Sequence, residues 1–429
     1  MLAGWFRLRT MGSVTVLQDG VGPFWAAIRA DGRPHSPGYG LGLLVPYGAV
    51  VWCSSSLWSA VGLLGWAHAA LAPIASWCAF HAGRGNWAIA ALVGVLVAQD
   101  AGLVGSFLSG AEGYLAPLFV AVCACGRGSL AWLAFAFAVS NHPMAACSLP
   151  LVLWRRNFNR GALPGMALAA AMVAHQFYGI DAPGVPGGQI GQALDAALRA
   201  SGGLLMVAAA GPLLALASKE GRGLGARVIA SAGLLALAGL WLGYLRDHHI
   251  RLLLVPALAC WGSLQARGWW VALFGFVPVD QESLPPEDPG RAGTLQLTQS
   301  VGDAIAAEAR PVFVDRLWVS GGPGLEPSAV MLDLHLRGWD GAMISTSGSA
   351  VIVIAADPVD LAQMGCSGRL MREGHGYRVC RGPVEAARRW SLTVCDQGGR
   401  VGGAWDALSV LNPDTQTEDL GAWWACVEP

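Results

Sequence analysis

The sequence predicts an α-helical polytopic membrane domain followed by a small soluble α/β domain, and three observations support this division. Hydrophobic residues make up 54% of the chain and charged residues 13%, which is unusual for soluble domains. Residues 1–280 carry 16 Lys and Arg against 9 Asp and Glu, whereas residues 281–429 carry 11 against 19. Long apolar runs occur in the first part. We therefore assign residues 1–280 to the membrane domain, 281–293 to a linker and 294–429 to the soluble domain.

The membrane domain contains about 9–11 apolar runs that suit full spans or half-spans of a bilayer. Glycine and proline interrupt several of them. Broken helices are tolerated where protein or a water-filled cavity covers the freed backbone groups, so they indicate an internal site. The runs are Gly38–Cys53, Leu57–His81, Trp87–Leu108, Tyr114–Cys125, Leu130–Trp154, Ala162–Ile180, Gly203–Ser218, Val228–Leu245, Ile250–Leu264 and Trp269–Val279.

Short basic loops predict the orientation, because Lys and Arg collect on the cytoplasmic side of membranes. The loops at 155–160 and 219–227 each carry three basic residues, so both are expected in the cytoplasm. The loop Asp181–Ser201 and the C-terminal domain are then extracytoplasmic, in a bacterial-type cytoplasmic membrane. No basic stretch with interleaved aromatic residues occurs, which argues against nucleic acid as a partner. The apolar runs make membrane lipid the expected partner.

Four polar clusters lie inside or beside the apolar runs. Ionisable groups near hydrocarbon cost free energy and are usually retained for function. The clusters are Asp19 with His35-Ser36-Pro37-Gly38-Tyr39, then Ala111-Glu112-Gly113-Tyr114, then Asn141-His142-Pro143, and finally Arg246-Asp247-His248-His249-Ile250-Arg251.

The order of these clusters on apolar boundaries resembles the protein O-mannosyltransferase-like family of the glycosyltransferase C superfamily. The resemblance covers roughly Asp19–Trp154, and Ser36 and Gly40 stand where the family pattern has proline. It implies transfer of a sugar from a polyprenyl-phosphate donor to a protein, lipid or glycan acceptor at the outer face of the membrane.

The resemblance also implies roles for individual residues. Asp19 would act as general base on the acceptor hydroxyl, or hold a divalent metal that does so, with Glu112 as its partner. Arginine suits the departing lipid phosphate because its guanidinium can bind two oxygens at once. The residues expected to contact substrate are His35, Tyr39, Tyr114, Asn141, His142, Arg246, His248, His249 and Arg251.

Each assignment has a structural alternative. Asp19 is also consistent with a solvated loop residue, and Glu112 with a cap at a helix start, where the helix dipole favours a carboxylate. His142 is equally explained as a hydrogen-bonded core histidine. The Arg246–Arg251 run is also typical of an interfacial anchor, since arginine side chains extend to the membrane surface. Asp100 fits either a buried structural acid or a cavity residue.

Two other classes of function remain open from the sequence. A transporter or channel would explain broken helices and intramembrane acids, but the two halves show no inverted repeat. A non-catalytic relative, or an accessory or transport membrane protein with an extracytoplasmic scaffold domain, is the alternative.

The soluble domain is predicted as an alternation of helices and strands, typical of a small three-layer α/β domain. The glycine-rich segment at 321–324 matches neither a phosphate loop nor a dinucleotide-binding fingerprint. We expect helices at Leu295–Arg310 and Glu326–Leu336 and strands at Pro311–Asp315, Gly341–Ser345 and Ala350–Ala355, with Asp357–Gly365 and Pro383–Trp390 completing the alternation.

The ten cysteines are distributed over both predicted domains. Cys366, Cys380, Cys395 and Cys426 lie in the soluble domain, and an even number of cysteines in an extracytoplasmic domain indicates disulfides. Three pairings are open; Cys366 with Cys380 and Cys395 with Cys426 is the most local. The six other cysteines lie in apolar runs and are expected to be small core residues.

Overall fold

The computed structural model of the chain describes residues 18–29, 40–83, 85–100, 103, 115–154, 157–177, 204–242, 245, 247–269, 295–309, 316–320, 327–338, 349–355, 372–374 and 377–383. This described part is mostly helical, as the sequence predicts. Its helices up to residue 269 are α1 Gln18–Arg29, α2 Leu41–Cys53, α3 Leu57–Ala69, α4 Leu71–Ala82, α5 Trp87–Gln99, α6 Ala116–Cys125, α7 Ser129–Asn141, α8 Leu149–Val152, α9 Leu163–Phe177, α10 Leu204–Leu216, α11 Arg222–Leu242, α12 Asp247–Arg251 and α13 Leu254–Ala259. Short 3-10 turns at Pro143–Ser148, Arg160–Ala162 and Cys260–Trp269 connect some of them.

Two helical segments in the described residues are long and apolar enough to cross a membrane. Helices α3 and α4 form one segment, Leu57–Ala82, of 26 residues, and the second is Arg222–Trp241, of 20 residues. Six shorter apolar helices of this region have 10–17 residues. Several predicted runs are therefore short helices joined by turns in the described residues.

Local capping determines where several of these helices begin. The Ser56 hydroxyl accepts a hydrogen bond from the Ser59 N–H, and the Ser59 hydroxyl accepts one from the Ser56 N–H, so α3 begins with a reciprocal capping box. The Asn86 side chain caps α5 by accepting from the Ile89 N–H. Such caps satisfy first-turn N–H groups that have no partner within the helix.

The predicted run Leu130–Trp154 is not one helix. It divides into α7, the 3-10 turn Pro143–Ser148 and α8. The break falls at His142, whose φ and ψ of −149° and 123° are extended. The residue before a proline is sterically disfavoured in the helical region. Pro143 therefore keeps His142 out of the helical conformation, and α7 ends at Asn141.

Small residues form the centre of the helical bundle. Alanines at positions 75, 79, 116, 121, 131 and 136 are almost completely buried between α4, α5, α6 and α7. Their short side chains allow close helix approach, as is common where helices pack in a membrane. A Cβ on Gly83 or Gly262 would collide with backbone atoms, so these two turns also touch closely.

Basic residues collect at one end of this bundle. The Gly128 N–H donates to Asn157 Oδ1, the Arg227 guanidinium lies over the Trp154 ring, and the Ser218 hydroxyl donates to the Ser263 carbonyl. These contacts, with that of Gly83 and Gly262, bring the turns of this end together. The basic end, as we call it, carries Arg127, Arg160, Lys219, Arg222 and Arg227.

The C-terminal part contains two helices and a four-stranded sheet in its described residues. Strand β1 (Arg316–Ser320) pairs in parallel with β2 (Ser349–Ala355), and a helix lies between them in the chain, as a parallel connection requires. Strand β4 (Tyr377–Pro383) pairs antiparallel with both β2 and β3 (Arg372–Gly374). The sheet order is β1-β2-β4-β3.

The predicted C-terminal elements are partly confirmed. Helices α14 (Leu295–Ala309) and α15 (Pro327–Leu336) and strand β2 match their predicted positions. Strands β1, β3 and β4 were not predicted at these positions, and Pro383 ends a strand where the next element of the alternation was expected to begin. Residues 311–315, 341–345 and 357–365 lie outside the described part.

Helices α14 and α15 pack directly on the N-terminal helices α1 and α3. The Asp333 carboxylate accepts a hydrogen bond from the Leu57 N–H at 2.7 Å, and the His335 ring lies 5.8 Å from the ring of Trp25. Leu57 and Ala82 end the same helical segment, and Ala82 adjoins the basic end. The C-terminal helices therefore dock at the Leu57 end of this 26-residue segment, and the basic end adjoins its Ala82 end.

The cysteines of the helical region do not all behave as predicted. Cys123 and Cys260 are buried core residues, but Cys53 is exposed. Cys78 and Cys125 lie at disulfide distance, with Cα atoms 5.3 Å apart, because α4 and α6 pack together there. The predicted pairs Cys366–Cys380 and Cys395–Cys426 cannot be placed, since the side chains involved lie outside the described residues.

Candidate functional site

His142, from the third polar cluster, lies between α7 and the 3-10 turn that follows it, in a non-helical conformation. Its Nδ1 accepts a hydrogen bond from the Met144 N–H at 3.2 Å, so the imidazole caps the 3-10 turn that follows α7. The side chain is almost fully buried. Because Nδ1 is the acceptor, the neutral imidazole carries its proton on Nε2.

His248, His249 and Arg251 lie on the short helix α12. His249 is fully buried and Arg251 is 2% exposed. An arginine that anchors a protein at the membrane surface keeps its charged group in water, which this burial prevents. The interfacial-anchor explanation is therefore wrong for Arg251, although it fitted the sequence.

The structure brings the third and fourth sequence motifs together. The ring of His142 lies 4.8 Å from that of His249 and 5.6 Å from that of His248, and the two neighbouring rings are 4.3 Å apart. We call these three residues the histidine cluster. Arg251 lies three residues after His248, a spacing that places both on one side of a helix. More than a hundred residues of chain separate His142 from this helix.

Residues that follow the first motif also contact the end of α7. The Gly40 N–H donates to the Ser140 carbonyl at 2.8 Å, and the Asn141 side-chain amide donates to the Gly42 carbonyl at 3.3 Å. A Cβ on Gly42 would collide with the Phe137 carbonyl, so only glycine allows this approach of α2 to α7. Sequence reasoning missed Gly42; its position three residues after the motif was the available signal.

Asn141 presents a hydrogen-bond acceptor beside the cluster. The residue is fully buried, and its Oδ1 has no hydrogen-bond partner among the described residues. A buried polar atom is normally paired, because desolvation without a hydrogen bond costs free energy. A hydroxyl of a bound ligand could donate the hydrogen bond that Asn141 Oδ1 lacks.

The hydrogen bond to His142 favours an anion over a metal ion on its Nε2. One nitrogen from each of the three rings lies within 4.8 Å of the others, so the spacing alone suits either kind of ligand. A metal on Nε2 of His142 would require a proton on Nδ1, which would abolish the bond from Met144. In the observed arrangement Nε2 is a donor, and a donor suits a phosphate oxygen.

The remaining predicted site residues are only partly placed. Asp19 belongs to the first turn of α1, so its backbone is helical and not part of an open loop; its side chain lies outside the described part. Glu112, His35, Tyr39, Tyr114 and Arg246 are also outside it. The separation of Asp19 and Glu112, and their ability to hold a metal, therefore stay predictions.

Asp100 has a structural role in the described residues. It is buried at the C-terminal end of α5, and its carboxylate accepts a hydrogen bond from the Leu103 N–H at 2.8 Å. Of the two explanations left open by the sequence, this contact supports a structural acid that satisfies a backbone donor.

Comparison of the chain with protein-family models, with curated proteins and with solved structures finds no match.

Proposed function

We propose that this chain is an integral membrane glycosyltransferase that moves a sugar from a polyprenyl-phosphate donor to an acceptor at the outer face of the membrane. The observation that supports this proposal is the contact of the His142 ring with the rings of His248 and His249, with buried Asn141 and buried Arg251 close by in the same two chain segments. These residues come from the third and fourth motifs, and both motifs were expected from the sequence to contact substrate.

The chemistry follows from the charge and hydrogen-bonding capacity of these side chains. The acceptor oxygen attacks the sugar's anomeric carbon, the bond from that carbon to the phosphate oxygen breaks, and the acceptor proton passes to Asp19. The lipid phosphate leaves with the electron pair. Arg251 and His142 Nε2–H stabilise this developing negative charge. Asn141 Oδ1 accepts a hydrogen bond from a sugar hydroxyl.

The surface of the bundle supports a position within a bilayer. Only 28% of the apolar segment Arg222–Trp241 is buried, and Leu237, Leu240 and Trp241 are 63%, 66% and 86% exposed. The core helix of a soluble protein would instead be buried on most sides. Hydrocarbon contact removes the cost of leaving such residues exposed.

The basic end supports the proposed orientation. Clustered Lys and Arg in short loops favour the cytoplasmic side. The C-terminal helices dock at the Leu57 end of the 26-residue segment and the basic end adjoins its Ala82 end, so the C-terminal part is a soluble α/β domain on the extracytoplasmic side. This orientation places it on the face where lipid-linked sugars are used in the proposed reaction.

The test uses the purified protein in lipid nanodiscs and undecaprenyl phosphate, the part shared by such donors. We expect His249→Ala and Arg251→Gln each to weaken binding at least tenfold, because each removes a buried phosphate contact. His81→Ala is the matched control, since His81 is exposed near the basic end. Equal binding by the parent and His249→Ala would overturn the assignment of the cluster.

A chelator distinguishes phosphate binding from metal binding at the same residues. Dialysis against EDTA should leave undecaprenyl phosphate binding unchanged. Loss of binding after EDTA, with recovery on adding zinc, would make the histidine cluster a metal centre. Binding without any sugar release from polyprenyl-phosphate hexoses would favour a non-catalytic relative.

A further inference from the structure

A carboxylate from the C-terminal part completes the first turn of a bundle helix. Asp333 is fully buried, and its Oδ1 accepts the hydrogen bond from the N–H of Leu57, the first residue of α3. The capping box already satisfies the Ser59 N–H, so Asp333 supplies an acceptor that the local sequence lacks. The dipole of α3 also favours a negative charge at this end.

The same carboxylate is held on its other side by a salt bridge. The Arg337 guanidinium donates to Asp333 Oδ2 at 2.7 Å and to Asp303 Oδ1 of α14 at 2.6 Å. A Cβ on Gly302 of α14 would collide with Asp333 Oδ2. Both C-terminal helices therefore fix the position of this one side chain.

Packing continues from α15 towards the candidate site. The ring of His335 lies beside Trp25 of α1, and Phe24 of α1 contacts Tyr47 of α2 with ring centroids 4.7 Å apart. Helix α2 carries Gly42, which accepts the hydrogen bond from Asn141. A continuous set of contacts thus joins α15 to α1, and α1 through α2 to the residue next to His142.

We propose that Asp333 is a positioning residue that locks the C-terminal helices onto α1 and α3 and so fixes α1, with Asp19 in its first turn, relative to α2 and the candidate site. The docking of the C-terminal helices is inferred from the contacts of Asp333 and does not depend on what the protein does. The effect of Asp333 on catalysis rests on the proposed function.

The docking step is tested in the full chain with a protease recognition sequence placed in the segment 281–293. The protein is purified, cleaved, and analysed by size-exclusion chromatography. We expect the C-terminal fragment of the parent to coelute with the membrane fragment. In Asp333→Ala, the amount of C-terminal fragment that elutes separately should be at least ten times larger than in the parent. Asp303→Asn is the matched control, because Asp303 contacts the same arginine but is 54% exposed.

A conservative variant separates loss of docking from failure to fold. Asp333→Asn keeps a side-chain oxygen for the Leu57 N–H and removes the charge, so its fragment should be released less than that of Asp333→Ala. Coelution of Asp333→Ala to the same extent as the parent, or separation of the parental fragments after cleavage, would overturn the lock.

Kinetics test the positioning step. Asp333→Ala should lower kcat for sugar transfer at least tenfold while KM for the lipid-linked donor stays within twofold, because the histidine cluster remains intact. A rise in KM alone would contradict positioning of α1. If the parent transfers no sugar, the proposed function fails, but the docking result remains valid on its own.

Discussion

At the scale of single residues, two aspartates that share one arginine have different physical settings. Asp303 is 54% exposed, and an exposed ion pair contributes little, roughly 0–1 kcal/mol. Asp333 is completely buried, so its desolvation opposes the gain from Arg337. A buried pair of this kind is better at selecting one geometry than at adding net stability. Its value to the fold is a defined docking position.

The desolvation cost of the Asp333 carboxylate should appear in the pH dependence of the protein's stability. Burial raises the pKa of Asp333 above its usual value of 3.8, although the Leu57 N–H and Arg337 lower it in part. A raised pKa means that the folded protein binds the proton more readily than the unfolded chain does. The contribution of Asp333 to stability is therefore lost as pH rises through the folded pKa, and it is regained on acidification towards 3.8.

The measurement is the Tm of parent and Asp333→Asn in detergent from pH 7 down to about 4. Asparagine does not titrate, so the Tm difference reports this group. We expect the difference to move in favour of the parent as pH falls. Movement in favour of the variant would mean that the folded pKa is lowered.

At the scale of elements, the site depends on a helix end and a close helix crossing. Pro143 ends α7 and makes His142 available as a side-chain cap. Gly42 then lets α2 approach so closely that Asn141 can donate to its carbonyl. Neither feature creates a site alone; together they direct two buried polar residues to one position.

Gly42→Ala should separate these helices. The new methyl group would meet the Phe137 carbonyl and the backbone of Asn141, and overpacking of this kind costs about 1–3 kcal/mol. We expect a lower Tm and at least tenfold weaker binding of undecaprenyl phosphate. Gly48→Ala on the same helix has open space around its Cβ and should raise stability by at most ~1 kcal/mol.

Ligand affinity and Tm measured on both variants decide this prediction. Equal behaviour of the Gly42 and Gly48 variants would show that the close crossing of α2 and α7 does not support the site.

At the scale of the whole molecule, two chemically different ends define the direction of the bundle. One is the basic end, and the other receives the C-terminal helices through Asp333 and Leu57. Cys125 ends α6 beside Arg127, so the close pair Cys78 and Cys125 lies near the basic end. The oxidation state of each cysteine pair therefore reports which end faces the cytoplasm.

We expect Cys78 and Cys125 to be free thiols in native membranes and to cross-link when a mild oxidant is added. The cytoplasm keeps thiols reduced, whereas an extracytoplasmic domain is oxidised. Cys366 and Cys380 should accordingly be disulfide-bonded without any oxidant. Mass spectrometry of non-reduced peptides measures both pairs in one sample, and a C-terminal periplasmic reporter gives an independent check. A native Cys78–Cys125 disulfide with free thiols at Cys366 and Cys380 would reverse the orientation.

The sequence by itself determined the helical class, the positions of most helices and the residues around His142 and His249 that mark the candidate site. It could do so because hydropathy, proline and capping residues act over a few neighbouring positions. The break after Asn141 was encoded in the His-Pro pair, although hydropathy alone predicted a continuous run.

Only the tertiary structure decided which of these residues meet. Contacts between His142 and His249, between Cys78 and Cys125, and between Leu57 and Asp333 join positions 107, 47 and 276 residues apart. Such contacts depend on how whole helices pack, and no local pattern specifies that packing. The burial of Arg251 follows for the same reason: its sequence fits a membrane surface, but the surrounding helices enclose it.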